Sequence, residues 1–375
     1  MTRHGIIHFM FHPVAAKRFA EPLAAAAIAG GIPAELWIEP LPGLDVFRAG
    51  IQVPVQFCPS NLGFNPLKAA KTLLILLKRL SARKPLAIQA HLFRSALLPL
   101  LAARLTGVPI RIYHNHGVSY LGYQGALRFL LQVIEALNCH LATHVITVNE
   151  YLKPALQAVT NHPIAVFGPG SVCGLAPEEY AAPDSARRKN ARQEFGLKNG
   201  DLVLLYIGRP NRHKGFFILL ESFAGVFAGR EDVHLLICGC SEADVAAALP
   251  NHPSNIRALG YRADLRPVYD AADAVVLPSL YEGLPYSLLE GAARGCALLA
   301  SRIPGAEALV EADKNGFLVR PGDAGDLMRT LRSMDQERNR LAPIGAAAYE
   351  KALQFQREKI VGLYIAYLRG IMKVA

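Results

Sequence analysis

Short apolar runs alternate with longer amphipathic stretches along almost the whole chain. Residues 6–11, 34–38, 86–90, 110–114 and 144–148 have the length and apolar content of buried strands. The stretches between and after them, 15–29, 67–81, 92–105, 125–140 and 151–159, read as helices. Strand and helix in alternation predict a parallel sheet wrapped by helices. Gly168-Pro169-Gly170-Ser171 interrupts the pattern and marks a linker. A polar stretch from 177 to 199 follows. Alternation then resumes, with strands predicted at 202–207, 233–238, 274–277 and near 297–300, each followed by a helix. There is no solenoid-scale repeat and no low-complexity tract.

Two of these strands run into loops that carry chemistry. The run 273–278 leads into Ser279-Leu280-Tyr281-Glu282-Gly283-Leu284-Pro285-Tyr286-Ser287-Leu288-Leu289-Glu290. Pro285 suits the first turn of a helix, where an N–H would be unpaired anyway. Gly283 and Leu284 would leave backbone N–H groups at a helix start, whose partial positive charge suits a phosphate or a sugar hydroxyl. Glu282 and Glu290 lie eight residues apart, which is about 12 Å at helical rise. That is the reach from a ribose to a sugar joined through a diphosphate. A bare pair of acids at this spacing is common; its place after a buried strand, where open α/β sheets bind ligands, singles it out. The strand 202–207 runs into Gly208-Arg209-Pro210-Asn211-Arg212-His213-Lys214-Gly215. Arg209 offers a planar fork to phosphate oxygens, and Lys214 a mobile point charge. Alone, this loop reads equally well as a solvated basic turn.

Taken in order, Gly-Arg-x4-Lys-Gly, Pro-Ser-x-x-Glu-Gly-Leu-Pro-x-Ser-x-x-Glu, Gly305-Ala306-Glu307 and Asn315-Gly316 resemble the GT-B glycosyltransferases of family 4, retaining enzymes that use nucleotide-sugars. The resemblance covers most of the chain and is strongest from about 200 to 325. The Asn115-His116-Gly117 turn and the stretch from Glu135 to Asn149 are similar to the bacterial branch that builds capsule, exopolysaccharide and O-antigen chains. The resemblance implies an α/β architecture of two facing Rossmann-like domains with the active site in the cleft. Residues 1–168 would form the acceptor domain and 169–355 the donor domain, with a last helix, 356–375, returning to the N-terminal domain.

The same resemblance assigns roles. Arg209 and Lys214 would bind the donor diphosphate and stabilise charge building on the departing phosphate, without a metal. Gly208 and Ser287 belong to the same donor site. Glu290 would accept hydrogen bonds from the ribose, and Glu282 would contact the transferred sugar above a wall of Gly283, Leu284 and Pro285. His116 would lie close to the donor sugar, so the catalytic set is His116, Glu282, Arg209 and Lys214. A front-side reaction is expected, rather than one with Glu282 as nucleophile. Many relatives carry a Gly-Gly pair after the first strand. Here His12-Pro13-Val14-Ala15-Ala16-Lys17-Arg18 has no glycine. Lys17 and Arg18 are therefore candidates to meet an acceptor phosphate, with His114 and Tyr120 as further acceptor-side candidates. Gly291 stands where alanine is usual and Cys296 where proline is usual. No Asp-x-Asp occurs, which argues against a metal-dependent GT-A enzyme; neither metal nor cofactor is expected.

Composition narrows the rest. A chain of 375 residues suits two domains of ordinary size, and 52% apolar with 19% charged residues reads as globular. Six cysteines without a Cys-x-x-Cys pair read as reduced, mostly buried thiols of a cytosolic protein. The N-terminus lacks a signal-peptide pattern, and no apolar run reaches the roughly 18 residues of a membrane span. Charge is lopsided: residues 1–170 hold 15 Lys+Arg against 6 Asp+Glu, the remainder 25 against 24. Such a basic half attracts polyanions. No zinc finger, RNA-recognition signature or aromatic-interleaved basic stretch points to nucleic acid. Lys68, Lys71, Lys78, Arg79, Arg83 and Lys84 border the apolar run 73–77. That suits a helix lying on a membrane surface, or one packed on the sheet with its lysines in water. The function expected is transfer of a sugar from a nucleotide-diphosphate donor, uridine-based, to a glycan on a lipid at the inner face of the cell membrane. The alternatives are a GT-B epimerase or phosphorylase, or a non-catalytic nucleotide-sugar-binding protein.

Overall fold

The computed structural model describes residues 5–39, 51–58, 65–182 and 184–374; the first four residues of the N-terminal segment judged above lie outside it. The chain divides into two units, Met1–Gly174 with Arg357–Ala375, and Leu175–Gln356.

The first unit holds a seven-stranded sheet. Its strands are β1 Ile6–Phe9, β2 Ala34–Ile38, β3 Val55–Phe57, β4 Ala87–His91, β5 Ile110–Asn115, β6 His144–Thr147 and β7 Ile164–Ala165. All pairings are parallel, in the order β3-β2-β1-β4-β5-β6-β7. The helices are α1 Glu21–Ala29, α2 Pro66–Arg83, α3 Phe93–Leu105, α4 Gly125–Leu141 and α5 Lys153–Gln157. The turn before α1 departs from the reading of one continuous helix: Ala16–Ala20 is π-helical. On α2, Leu76 and Leu80 join Ile7, Phe9, Trp37 and Ile88 in the core, with Leu73, Ile75 and Leu77 packed against them. Packing accounts for that part of its apolar run, while Leu67 and Leu74 stay exposed. Lys68, Lys71 and Lys78 remain exposed.

The second unit repeats the plan with six parallel strands. These are β8 Leu202–Ile207, β9 Val233–Cys238, β10 Ile256–Ala258, β11 Ala274–Leu277, β12 Ala297–Ser301 and β13 Gly316–Val319. Their order is β10-β9-β8-β11-β12-β13. The helices are α6 Ser185–Glu194, α7 Phe216–Phe227, α8 Glu242–Ala248, α9 Arg266–Ala271, α10 Tyr286–Ala292, α11 Pro304–Glu307, α12 Ala324–Gln336 and α13 Leu341–Ala352. The last helix, α14 Arg357–Val374, belongs to the first unit, where it packs on α1. Each unit is a Rossmann-like layer of helix, parallel sheet and helix, and together they make a GT-B fold.

Gly168–Ser171 sits within the first unit rather than between the two. Gly170 has φ +117, and a Cβ there would fall 2.2 Å from the Val148 carbonyl oxygen, so only glycine lets the chain turn this close to the end of β6.

A buried arginine anchors the base of the second sheet. Arg192 on α6 is 1% exposed and donates to the carbonyls of Ala271, Lys198, Asn199 and Asp201. It also pairs with Asp273 at 2.7 Å, and the same carboxylate accepts from the Val203 amide at 2.7 Å. Removing the cation takes a buried donor from four carbonyls and leaves Asp273 with Arg188 and the Val203 amide. Arg192→Leu is expected to destabilise the second unit by about 3–5 kcal/mol, read as a lower urea midpoint. A midpoint within experimental scatter of the parent would show that the network carries no net stability.

Candidate functional site

Both sheets reverse their winding once, between β1 and β4 and between β8 and β11. The crevice at the carboxyl ends of such diverging strands is where an open α/β sheet binds ligands. In each unit several of the residues singled out by sequence stand on the segments that follow these strands.

In the second unit the loop after β8 meets the loop after β11. Asn211 Oδ1 accepts from the Lys214 amide at 3.0 Å and closes a turn over Arg212–Lys214. Gly215 follows with φ +70; a Cβ there would fall 2.1 Å from the Pro278 carbonyl oxygen, so the glycine lets the two loops touch. The Leu280 amide donates to the His213 carbonyl at 2.8 Å and staples them. The result is an ion pair: Lys214 Nζ lies 2.7 Å from Glu282 Oε1, which also accepts from Ser279 Oγ at 2.8 Å. Arg209 is exposed beside Gly208 and makes no ion pair among the described residues. Its carbonyl accepts from the Tyr206 hydroxyl at 2.9 Å, which fixes the start of the loop.

Glu290 lies one helix further on and is 5% exposed. Its Oε2 accepts from the Tyr269 hydroxyl at 2.7 Å. Pro285 is the residue capping α10, one position before the first turn expected for it, and Gly283 and Leu284 are buried beside it. Ser287 is half-buried in the first turn. The unusual Gly291 has a packing reason: a Cβ there would fall 2.3 Å from Val275 Cγ2, so α10 lies closer on β11 than alanine permits. Cys296 Sγ donates to the Tyr269 carbonyl at 3.2 Å, steadying the tyrosine that holds Glu290.

Two shared motifs turn out to be supports. A Cβ on Gly305 would fall 2.4 Å from the Glu282 carbonyl oxygen, so this glycine lets α11 abut the Glu282–Gly283 backbone. Asn315 donates to the Leu309 carbonyl at 2.9 Å and accepts from the Glu311 amide at 2.7 Å, closing the turn into β13.

In the first unit four histidines gather at the carboxyl ends of β1, β4 and β5. His8 Nδ1 is 3.1 Å from His91 Nε2, and His91 Nδ1 is 3.1 Å from His116 Nε2. His114 Nδ1 bonds the Gln89 side-chain nitrogen at 2.9 Å, and Gln89 Oε1 accepts from the Tyr364 hydroxyl of α14 at 2.9 Å. His91, His114 and His116 bring one ring nitrogen each within 4.8 Å of one another, a spacing open to a transition-metal ion. In this structure the nitrogens of His91 and His116 meet each other instead. Leu92, next in the chain, adopts φ +66 and ψ 144, a strained conformation for a residue with a Cβ.

The turn bearing His116 hangs from a buried carboxyl group. Asn115 Oδ1 accepts from the Gly117 amide at 2.9 Å, while its amide donates to Glu135 Oε1 at 2.9 Å. The Tyr113 hydroxyl donates to the same oxygen at 2.6 Å. Burial outweighs both bonds and pushes the Glu135 carboxyl up to about 7.

Two acceptor-side candidates lie away from the surface: His114 is fully buried, and Tyr120 is buried with its hydroxyl bonded to the Ala155 carbonyl. Lys17 and Arg18 are exposed on the π-helical turn. Sequence reading passed over His8, His91, Gln89, Ser279 and Tyr269. For the first three a signal existed, a polar side chain inside an otherwise apolar strand.

Burial holds the histidines neutral: His8 and His116 are pulled down to about 3, and His91 and His114 well below the ordinary range. A depressed histidine favours the fold above its unfolded value near 6.5, and that contribution drains away as pH falls toward the folded value. Glu135 has the opposite sign, losing stability as pH rises from 4.5 to about 7. The histidines outnumber it. The melting temperature is therefore expected to fall as pH drops from 6.5 to 4.5. His8→Asn should flatten that slope by about 1.4 kcal/mol per pH unit, and Glu135→Gln should raise stability at pH 8. Parallel profiles for parent and His8→Asn would show that His8 is charged in the fold.

The likeness to known proteins agrees with the fold. Residues 15–170 match the family model described as "Glycosyl transferase 4-like domain", and residues 201–336 that of "Glycosyl transferases group 1". The chain is 24% identical over 291 residues to the capsular polysaccharide biosynthesis glycosyltransferase CapM of Staphylococcus aureus, covering 75% of each. It is 25% identical over 281 residues to the UDP-Gal:alpha-D-GlcNAc-diphosphoundecaprenol alpha-1,3-galactosyltransferase of Escherichia coli, covering 71% of this chain and 70% of the other. Among solved structures, sucrose-phosphate synthase from Thermosynechococcus elongatus superposes with a TM-score of 0.81 at 18% identity, covering 100% of both chains. HepE of Anabaena, in complex with UDP and glucose, gives 0.79 at 19%, covering 98% of this chain and 100% of that one. With a glycosyltransferase family model matched in each unit and the GT-B fold throughout, the chain is a family-4-like glycosyltransferase of the GT-B class.

Proposed function

We propose that the protein transfers a hexose, with retention at the anomeric carbon, from a uridine-diphosphate sugar to a growing lipid-linked glycan of the cell surface. The observation that carries this reading is the Lys214–Glu282 pair at the switch point, with Arg209 exposed beside it. Two cations and an acid on touching loops suit an anionic donor joined to a hydroxyl-rich sugar. As the structure stands, Glu282 neutralises Lys214. A diphosphate offers Lys214 and Arg209 a denser negative charge, and Glu282 is then released to accept from a sugar hydroxyl. Glu290, held by Tyr269, receives the ribose, and Gly208, Gly283, Leu284, Pro285 and Ser287 line the donor's path.

In the reaction, the bond from the anomeric carbon to the phosphate oxygen breaks and the acceptor oxygen bonds that carbon on the same face. The acceptor's proton passes to the departing phosphate. Arg209 and Lys214 stabilise the charge that grows there, a contribution larger in the transition state than in the bound donor. His116 acts at the transferred sugar, and Lys17 and Arg18 receive an acceptor phosphate. Two relatives support the donor and the acceptor: one is named for UDP-Gal and a diphosphoundecaprenol acceptor, and HepE was crystallised with UDP and glucose. A lipid-linked acceptor sets the reaction at a membrane surface, on its cytoplasmic face.

Binding of UDP with chelator present is expected to raise the melting temperature. At one hundred times the dissociation constant, linkage supplies about 2.7 kcal/mol. Arg209→Ala should abolish most of the shift; no shift in the parent with any nucleotide diphosphate would overturn the donor assignment. Glu282→Gln keeps the shape and loses the charge. Transfer should fall by about 100-fold, whereas UDP affinity should hold or rise because Lys214 is no longer neutralised. Unchanged turnover would remove Glu282 from the mechanism.

A further inference from the structure

Three imidazoles stand together where β4 and β5 end. His91 is the last residue of β4 and the register partner of His114 on β5, and His116 follows on the turn. One ring nitrogen of each comes within 4.8 Å of the others. His91 Nδ1 and His116 Nε2 are 3.1 Å apart. Nitrogens at about 2.0–2.1 Å from a tetrahedral zinc ion lie about 3.3 Å from one another. One edge of such a tetrahedron is therefore already formed. His114 supplies the third corner. Its Nδ1 is held by Gln89, whereas its Nε2 is buried and has no hydrogen-bond partner among the described residues. A buried polar atom left unpaired calls for an explanation, and an unrecorded ion is one.

The residues behind the three rings suit the same role. A metal-bound histidine ordinarily gives its other ring N–H to an acceptor, which fixes its tautomer and orientation. His91 Nε2 has His8 Nδ1 at 3.1 Å for this purpose. His114 Nδ1 has the Gln89 amide, itself held by the Tyr364 hydroxyl. Flipping that amide lets Gln89 Oε1 accept from His114 Nδ1 while the Gln89 nitrogen donates to the tyrosine oxygen, and His114 Nε2 then keeps a lone pair for a metal. The three ligands are all imidazoles, with no carboxylate among them. That set suits zinc, copper or nickel rather than magnesium or calcium. His91 and His114 are buried and His116 is half-buried, so the entry path and a fourth position for water lie on the His116 side.

We propose that His91, His114 and His116 bind a late transition-metal ion, zinc first among them, and that the bound ion inhibits transfer by tying His116 to the ends of β4 and β5. The ion is a regulator and not a cofactor: the donor site of the second unit works without it. Inhibition rests on the part given to His116 at the transferred sugar. Binding does not, and it is measured with no donor or acceptor present, so the two readings fail separately.

The test uses the full-length protein without a histidine tag, stripped with chelator and then freed of it. Titrated with Co²⁺ alone, it should bind one ion and show the strong visible absorption of a four-coordinate site. Zn²⁺ should bleach that absorption and raise the melting temperature. His116→Asn and His91→Gln should each weaken Zn²⁺ binding at least about 100-fold, and His8→Asn, one layer out, about 10-fold. His140→Asn, exposed on α4, should leave binding as it is. A metal-free melting curve reports whether each variant folds, and half-buried His116 is the replacement that disturbs the core least. Saturating Zn²⁺ should remove most of the parent's transfer and chelator should restore it, while His91→Gln, read against its own metal-free rate, should resist. A spectrum that stays that of six-coordinate Co²⁺, or equal Zn²⁺ affinity in the parent and both ligand variants, overturns the site. Zn²⁺ bound at these histidines with transfer unchanged overturns the inhibition.

Discussion

Parallel strands end together, and where the winding order reverses the loops that follow must part. That constraint fixes where chemistry can stand in this protein. In the second unit it sends the loops after β8 and β11 past each other at the distance of a carbonyl from a glycine. Lys214 and Glu282, 68 residues apart in the chain, meet at 2.7 Å because of it. In the first unit the same reversal stacks His8, His91, His114 and His116 on three neighbouring strand ends. Neither cluster is visible as a local motif, since each is assembled by strand order.

The central architecture was legible because central parallel strands are buried on both faces and so must be continuously apolar. All four strands absent from the sequence reading are the outermost ones of their sheets: β3 and β7 in the first, β10 and β13 in the second. They are two to four residues long and partly exposed, so they carry no sustained apolar run. Donor-loop residues were legible for a different reason. Gly208, Gly215 and Gly283 sit beside charged residues at strand ends, and glycine next to charge after an apolar run is a local signal. The partners that orient them were not. Tyr269 reaches Glu290 from another helix, and Tyr364 reaches Gln89 from 275 residues away. Such pairs exist only once the chain has folded.

Spacing alone does not say which way a residue faces. His114 and Tyr120 stand in the expected stretch, and the alternation of a strand and the turn after it bury both. Asn315 and Gly305 belong to the family pattern and support backbone. A shared motif thus mixes contact and support, and only the direction of each side chain separates them.

Helix α4 shows why periodicity alone cannot orient an element. A 3.6-residue period says that a helix has two unlike faces and leaves open which one turns inward. Here a carboxyl group decides. Tyr113 and Asn115 need an acceptor beneath the His116 turn, and Glu135 supplies it from within the core at a cost that burial registers by pushing its carboxyl up to about 7. Placing Glu135 inward rotates Leu130, Val133 and Leu137 outward. The interaction that steadies the histidine turn is therefore the one that leaves these apolar side chains exposed. A substitution that let α4 rotate its apolar face into the core would take the acceptor away from the turn.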